Sequence, residues 1–455
     1  MLNVPTSKII TMSTVRLDLL KKTTAYYPII DNHTHNLLKA EARNAFPFEA
    51  LTSEASGEAV VDATESMALY RAVIQLAQLF GCEPSFDAVK KARDALNYDE
   101  LCDKCLKPTG IVAFLLDDMI VDSSEGLCYD YKWHDRFATS PSKRIVRVES
   151  VAQDLIKRLN EEKRHGLETF KKDFESILVA SCRDSEVVGF KSVVCYRSGL
   201  SISKPKDQEV EEALHASVAT LKNTGKLRIR QKPLNDYIVR VMLKLAGQFK
   251  KPVQFHTGLG DNDMSLETAN PVLMQPIFQE FPQTTIVLLH SSYPFSQEAG
   301  YLASVYRNVY LDFGEVFPII SKDGQLAIIR QILELTPTTK ILWSTDGHWW
   351  PETYYLAVVQ VREALYTVLA DSITKGDLTE SQAVIIVQRT LFHNSNQVYK
   401  LGLTPQSTDL SVARLSPSVA SPPVLTLESL AASGAKYNGS RVWRLAPHVS
   451  VSRLA

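Results

Sequence analysis

Eight short, β-prone apolar runs recur along this chain, and nearly every one stops at an ionisable residue. They span residues 27–31, ahead of His33-Thr34-His35; 111–116, ahead of Asp117 and Asp118; 144–148, ahead of Glu149; 188–196; 252–255, ahead of His256; 285–289, ahead of His290; 309–311, ahead of Asp312; and 341–344, ahead of Thr345 and Asp346. Stretches with 3.6-residue periodicity lie between the later runs, at 234–249, 271–281 and 325–335, and another at 354–369 follows the last. Strand and helix in alternation mark parallel βαβ units. The spacing of roughly 20–35 residues from the fifth run onward suits one such unit each. Eight units predict an α/β chain folded as a (β/α)8 TIM barrel, with its chemistry at the C-terminal ends of the strands.

Two insertions and a tail depart from the repeat. Residues 36–110 separate the first two runs and carry a helical pattern, SMALYRAVIQLAQLFG. Residues 200–233 separate the fourth run from its next helix. Both leave the mouth of the predicted barrel, so each reads either as a substrate wall or as padding on the barrel side. The barrel is thus placed at 1–403, and 404–455, rich in Ser and Pro, reads as a poorly ordered tail.

Composition removes several classes. Fifty Lys and Arg against 51 Asp and Glu give a formal charge of −1, so no global basic field exists for nucleic acid. No apolar run of about 18 residues is present, which argues against a membrane span. The first residues lack a signal-like apolar core, and the chain reads as cytoplasmic and unprocessed. Six cysteines include a single C-x2-C, Cys102 and Cys105, and read as reduced thiols on a helix rather than a zinc site.

The histidines carry the chemistry. His33 and His35 stand two apart at a strand end and share a face. His256, His290 and Asp346 each follow a run directly, so all five project into one mouth. Zinc takes such nitrogen and carboxylate ligands and keeps a position open for water. His33, His35, His256 and Asp346 form the candidate ligand set. His348, in STDGHWWPE, is close enough in sequence to reach the mouth, and Trp349 and Trp350 read as an aromatic wall or as packing. Arg197 offers a fork for a substrate carboxylate, or a structural ion pair. Glu315 and Asp312 are weaker candidates. His134, His165, His215 and His448 lie in polar or helical segments and read as solvated; His393 reads as packing.

The ordered set of H-x-H, His, His and Asp, within IIDNHTHNLL, FKSVVCYRSGL, PVQFHTGLGD, VLLHSSYPF and ILWSTDGHWWPE, resembles the amidohydrolase superfamily. The branch it resembles is the amidohydrolase-like half of the FluG and nodulin–glutamine synthetase fusion proteins, over roughly residues 20–403. No glutamine synthetase half appears in this sequence, so ligase activity is not implied.

The resemblance implies one divalent metal, zinc foremost, on His33, His35, His256 and Asp346, with a second ion if Lys191 is a carboxylated bridging lysine. Otherwise Lys191 binds a substrate carboxylate or fills an ion pair. It implies His290 as acid/base or substrate-polarising residue, and Asp346 as both ligand and proton acceptor for the attacking water. The expected reaction is hydrolysis of an amide or other C–N bond of a small carboxylated molecule. Non-oxidative decarboxylation is the alternative on the same residues, and a non-catalytic regulatory barrel the alternative of another class. Neither a nucleic-acid nor a membrane partner is expected, homo-oligomerisation stays open, and a role in fungal secondary metabolism follows from the resemblance alone.

Overall fold

Each of the eight runs contains a strand. A computed structural model describes residues 17–118, 126–164 and 166–405. The strands are β1 (Ile29–Thr34), β2 (Ile111–Asp117), β3 (Lys143–Arg147), β4 (Val187–Ser192), β5 (Val253–Phe255), β6 (Ile286–Leu288), β7 (Val309–Asp312) and β8 (Ile341–Leu342). They pair in parallel in chain order, β1 to β8. The backbone beyond β8 returns to β1: Asp346 N–H donates to the His33 carbonyl (3.1 Å) and His35 N–H to the Gly347 carbonyl (2.8 Å). Most strand residues are buried on both faces, as a sheet covered by helices requires.

The barrel interior is partly polar, and its polar side chains bond one another there. Asn32 Nδ2 donates to Asp312 Oδ2 (2.8 Å) and to the Trp343 carbonyl (2.7 Å), and Ser344 Oγ donates to Asp312 Oδ1 (2.8 Å). Gln254 Nε2 donates to the Asn32 carbonyl and to Tyr399 Oη, both at 2.7 Å. Asp312 therefore belongs to the floor beneath the mouth. Hydrogen bonds to these buried groups offset their desolvation.

The sequence placed several boundaries differently. β3 ends at Arg147, and a helix (Val148–Glu161) begins where the run was expected to continue, with Glu149 in its first turn. β4 ends at Ser192, and Val194–Tyr196 form one 3-10 turn. The cause is local: Glu149 Oε1 captures Ser192 Oγ (2.6 Å) and Val193 N–H (3.1 Å), so side chains, not a neighbouring strand, satisfy the backbone there. The segment 271–281 starts as a 3-10 turn (Pro271–Met274) and is α-helical only over Gln275–Glu280. The final long helix spans Pro351–Lys375, longer at both ends than its apolar stripe, and stops at Gly376 with φ +85°.

Between β1 and β2 the helices Met67–Phe80, Phe86–Ala95 and Tyr98–Leu106 form a side layer. Leu38, Phe48, Leu69, Leu76, Val89, Trp350 and Leu356 give this layer its own apolar core against the last long helix. Each such side chain contributes about 1.5–3 kcal/mol. Arg93 and Glu352, both fully buried, join across the junction at 2.5 Å. The second insertion forms the helix Asp207–Thr224, which packs on the helix Lys232–Phe249 at the barrel side.

His134 is not solvated: it is 1% exposed. Its Nδ1–H donates to the Asp130 carbonyl and its Nε2 accepts from Leu37 N–H, so it serves as a buried neutral clamp on the chain just past β1. His215 is exposed, and His393, exposed as well, bonds Tyr27 Oη at 2.7 Å. Cys102 and Cys105 are buried free thiols. His165, His448 and nearly all of 404–455 lie outside the described residues. No described helix is long and apolar enough to cross a membrane.

Candidate metal centre

β1 and the segment after β8 bring three donors to one point. Asp346 Oδ1 lies 3.1 Å from His33 Nε2 and 3.3 Å from His35 Nε2. The tautomers follow from the outer bonds. His35 Nδ1–H donates to the Asp117 carbonyl (3.1 Å), which leaves the lone pair on Nε2. The Lys191 ammonium lies 3.1 Å from His33 Nε2, which makes that nitrogen an acceptor as well. Two lone pairs and a carboxylate oxygen thus face one another, and Asp346 Oδ1 has no hydrogen-bond partner. A cation among them would relieve that repulsion, and this donor set fits a divalent transition metal.

Electrostatics keep the donors in ligating form. Burial, then Lys191, pushes His33 down to about 4. Burial works against the ionised Asp346, yet His290, His33 and His35 hold it well below the usual carboxylate range. Asp117 is likewise opposed by burial but pulled down to about 2 by Arg147, His35 and Lys191. Arg147 grips Asp117 Oδ2 through Nη2 (2.6 Å) and Nε (3.1 Å), which fixes the end of β2 whose carbonyl orients His35. Such outer-shell partners tune a metal site nearly as strongly as its ligands.

A second trio stands beside the first. His256, His290 and Glu315 are all buried, with donor atoms within 4.8 Å of one another. His290 Nδ1 lies 3.1 Å from Glu315 Oε2 and 4.0 Å from Asp346 Oδ2, and neither His290 nitrogen has a hydrogen-bond partner. His256 Nε2 lies 2.6 Å from the Leu259 carbonyl, so it carries the proton and leaves its lone pair on Nδ1. Tyr196 Oη completes that contact at 2.9 Å. Burial, then His256, pushes His290 well down, so its imidazole is neutral. Burial, with Glu54 and Asp346 adding to it, pushes the Glu315 carboxyl well up.

Backbone strain is concentrated here. His290, Ser291, Ser292, Glu315, Asp346 and Trp349 all have φ between +50° and +65°. Such conformations cost non-glycine residues of order 1–3 kcal/mol each and persist where the surroundings impose them. Here they turn the side chains after β6, β7 and β8.

Above the trios lies a pocket of about 310 Å³. Lys191, Arg197, His348 and Trp349 line it, as do His35, His256, Glu315 and Asp346. His348 Nδ1–H bonds the Asp346 carbonyl (2.9 Å). Trp349 stacks near Phe46 (4.3 Å between ring centroids), whereas Trp350 is buried core. The residues singled out from sequence therefore gather at this mouth, except Asp312 and Trp350. Five ionisable pocket residues were not anticipated: Glu54, Arg147, Tyr196, Arg228 and Asp261. Arg147 obeyed the strand-end rule, but the strand was read one residue too long. Tyr196 was hidden inside the same kind of error, and the other three sit in loops without periodicity.

Comparison with known proteins bears on the family and the fold. A family model described as Amidohydrolase matches residues 204–378. Protein fluG of Emericella nidulans is 42% identical over 415 residues, 85% of this chain and 47% of that protein, so the chain spans about half the length of this curated relative. A Lactobacillus casei structure described as a metal-dependent hydrolase superposes with TM-score 0.72 at 24% identity, covering 84% of this chain and 98% of that one. A uronate isomerase from Bacillus halodurans gives TM-score 0.55 at 14% identity over 84% and 96% of the two chains. These two structures carry the fold.

Proposed function

We propose that this chain, which resembles the Amidohydrolase family over residues 204–378 and about half of the length of protein fluG, is a metal-dependent hydrolase cleaving an amide or other C–N bond of a small carboxylate-bearing molecule. The observation that carries the reading is the convergence of His33 Nε2, His35 Nε2 and the unpartnered Asp346 Oδ1 at the base of a polar pocket. His33, His35, His256 and Asp346 would hold the ion. When bound, a divalent ion supplies Lewis acidity and lowers the pKa of water toward about 7.

The chain's own residues supply the rest. Asp346, ionised, accepts a proton. Neutral His290, 4.0 Å from that carboxylate, can relay the proton to the departing nitrogen. Tyr196, whose hydroxyl burial holds in the neutral form, can donate to the developing oxyanion. Arg197 and Lys191 draw the substrate carboxylate. The balance is simple: water's oxygen bonds to the carbonyl carbon, the C–N bond breaks, and the amine leaves with the proton.

The test is elemental analysis of purified protein beside His33→Ala, with amine and CO2 release assayed on a panel of carboxylated amides and aromatic acids. About one equivalent of zinc, manganese or iron, lost in the variant, together with amine release, is the expected result. CO2 release instead would move the assignment to a decarboxylase. No metal in either protein after reconstitution would leave a non-catalytic barrel.

A further inference from the structure

A second cavity opens between helices on the flank of the barrel. It too measures about 310 Å³, and it shares no lining residue with the pocket at the mouth. Three helices bound it: Val148–Glu161, Leu167–Arg183 and Asp207–Thr224, the last supplied by the second insertion. Along Asp207–Thr224 the lining residues recur at helical spacing, so one stripe of that helix faces the cleft.

The floor is apolar. Leu159, Phe170 and Leu214 are buried and belong to the main core. Val218 is half-buried beside them, and Ala219 is exposed. The small side chain at 219 leaves open a space that a larger one on the same stripe would fill.

The rim is cationic. Arg164, His215 and Lys222 line the cleft and are exposed, and among the described residues no carboxylate lines it. Arg164 is already held by Glu162 and Asp173, both at 3.0 Å. Lys222 has no carboxylate at ion-pair distance among the described residues. Its methylenes can lie along the apolar wall while the ammonium stays at the edge, and His215 adds a ring N–H on the same stripe. With the Arg164 fork engaged, this rim suits a single negative charge better than a phosphate.

We propose that this cleft binds a small amphiphilic anion, an aliphatic carboxylate of about eight carbons, with its tail over Leu159, Phe170 and Leu214 and its head toward Lys222 and His215. The site stands apart from the hydrolase reading, and its failure would leave that reading untouched.

The experiment is calorimetric titration of octanoate into the wild type, Lys222→Glu, Ala219→Trp and His33→Ala, each checked for folding by circular dichroism. Octylammonium, with the same tail and the opposite charge, and butyrate, with the same head and half the tail, are the matched probes. Octanoate is expected to fill one site with a Kd on the order of 1 mM or lower. Both matched probes should bind at least about tenfold more weakly. Lys222→Glu should weaken octanoate about tenfold and strengthen octylammonium, because only the sign of the rim has changed. Ala219→Trp should abolish octanoate binding, and His33→Ala should leave it within about twofold, since the mouth takes no part. If Ala219→Trp does not fold, Lys222→Glu, at an exposed position, carries the test alone. No saturable binding of octanoate, equal binding of octylammonium, or an affinity indifferent to either folded cleft variant would overturn the proposal. So would binding that is lost in His33→Ala, which would place the probe at the mouth instead.

Discussion

Arg93→Met should cost this protein about 3–5 kcal/mol. Arg93 and Glu352 are 1% and 0% exposed, joined by one 2.5 Å contact through Nε. Arg93 also stacks over Phe48, 4.4 Å from the ring centroid. Methionine keeps most of the apolar stem but leaves Glu352 as an uncompensated charge in the seam between the side layer and the last long helix. The pair itself is imperfect, since Arg93 Nη2 and Glu352 Oε2 have no hydrogen-bond partners. Each such atom forfeits about 1–3 kcal/mol of hydration. An apolar replacement of both residues should therefore recover most of the loss, so Arg93→Met/Glu352→Leu is expected within about 1 kcal/mol of the wild type. The loss of the cation–π contact, about 0.5–2 kcal/mol, sets the lower bound of that recovery. The assay is urea unfolding followed by tryptophan fluorescence, which reports Trp350 beside the seam, and by circular dichroism. With Glu352→Leu alone costing as much as Arg93→Met, the coupling between the two sites, both single losses less that of the double variant, should reach at least about 5 kcal/mol. Additive losses, or a single variant costing under about 1 kcal/mol, would refute the reasoning.

Three further outcomes follow from the geometry. His134 is held neutral by burial with a pKa of about 4, so the folded state refuses a proton that the unfolded chain accepts below about 6.5; its contribution is complete above that pH, is lost as pH falls toward about 4, and is worth about 3 kcal/mol, so His134→Gln should flatten the pH dependence of urea midpoints across that window, and an unchanged slope would contradict the burial argument. Asp117→Asn unpins Arg147 and the end of β2 that orients His35, and should weaken metal affinity about 10–100-fold in competition with a chelator; a change under about twofold would remove Asp117 from that role. Gly258 has φ +74°, and a Cβ there would meet the Ser292 and Tyr293 backbone at 2.3 Å, so Gly258→Ala should cost roughly 3 kcal/mol or more in the same unfolding assay, whereas a loss under about 1 kcal/mol would show that the segment yields.

The barrel was legible because parallel strands buried on both faces read as continuous apolar runs, and because strand-end polarity repeats. His33, His35, His256, His290 and Asp346 were legible for the same reason. Glu54 was not: it sits in a loop whose position depends on the side layer, and no local periodicity reports that. The buried state of His134 was hidden too, since its partners are main-chain groups of Asp130 and Leu37. Arg147 was hidden by a strand read one residue too long, and Tyr196 because Glu149 ends β4 through a contact between residues 43 apart. Propensity cannot foresee which side chain will intercept a backbone donor. The positive φ values at His290, Glu315 and Asp346 were likewise invisible, since none is a glycine.

The donors that meet in the first trio come from opposite ends of the barrel's order: His33 and His35 on β1, Asp346 past β8. On a ribosome, the histidines emerge roughly 300 residues before their carboxylate, an interval of about 15–60 s at ordinary elongation rates. During that time the nascent chain displays His33 and His35, and later His256 and His290, but not the Asp346 oxygen on which the first trio closes. On the proposed reading, an ion held by the first trio would gain its carboxylate only once the last strand has been made.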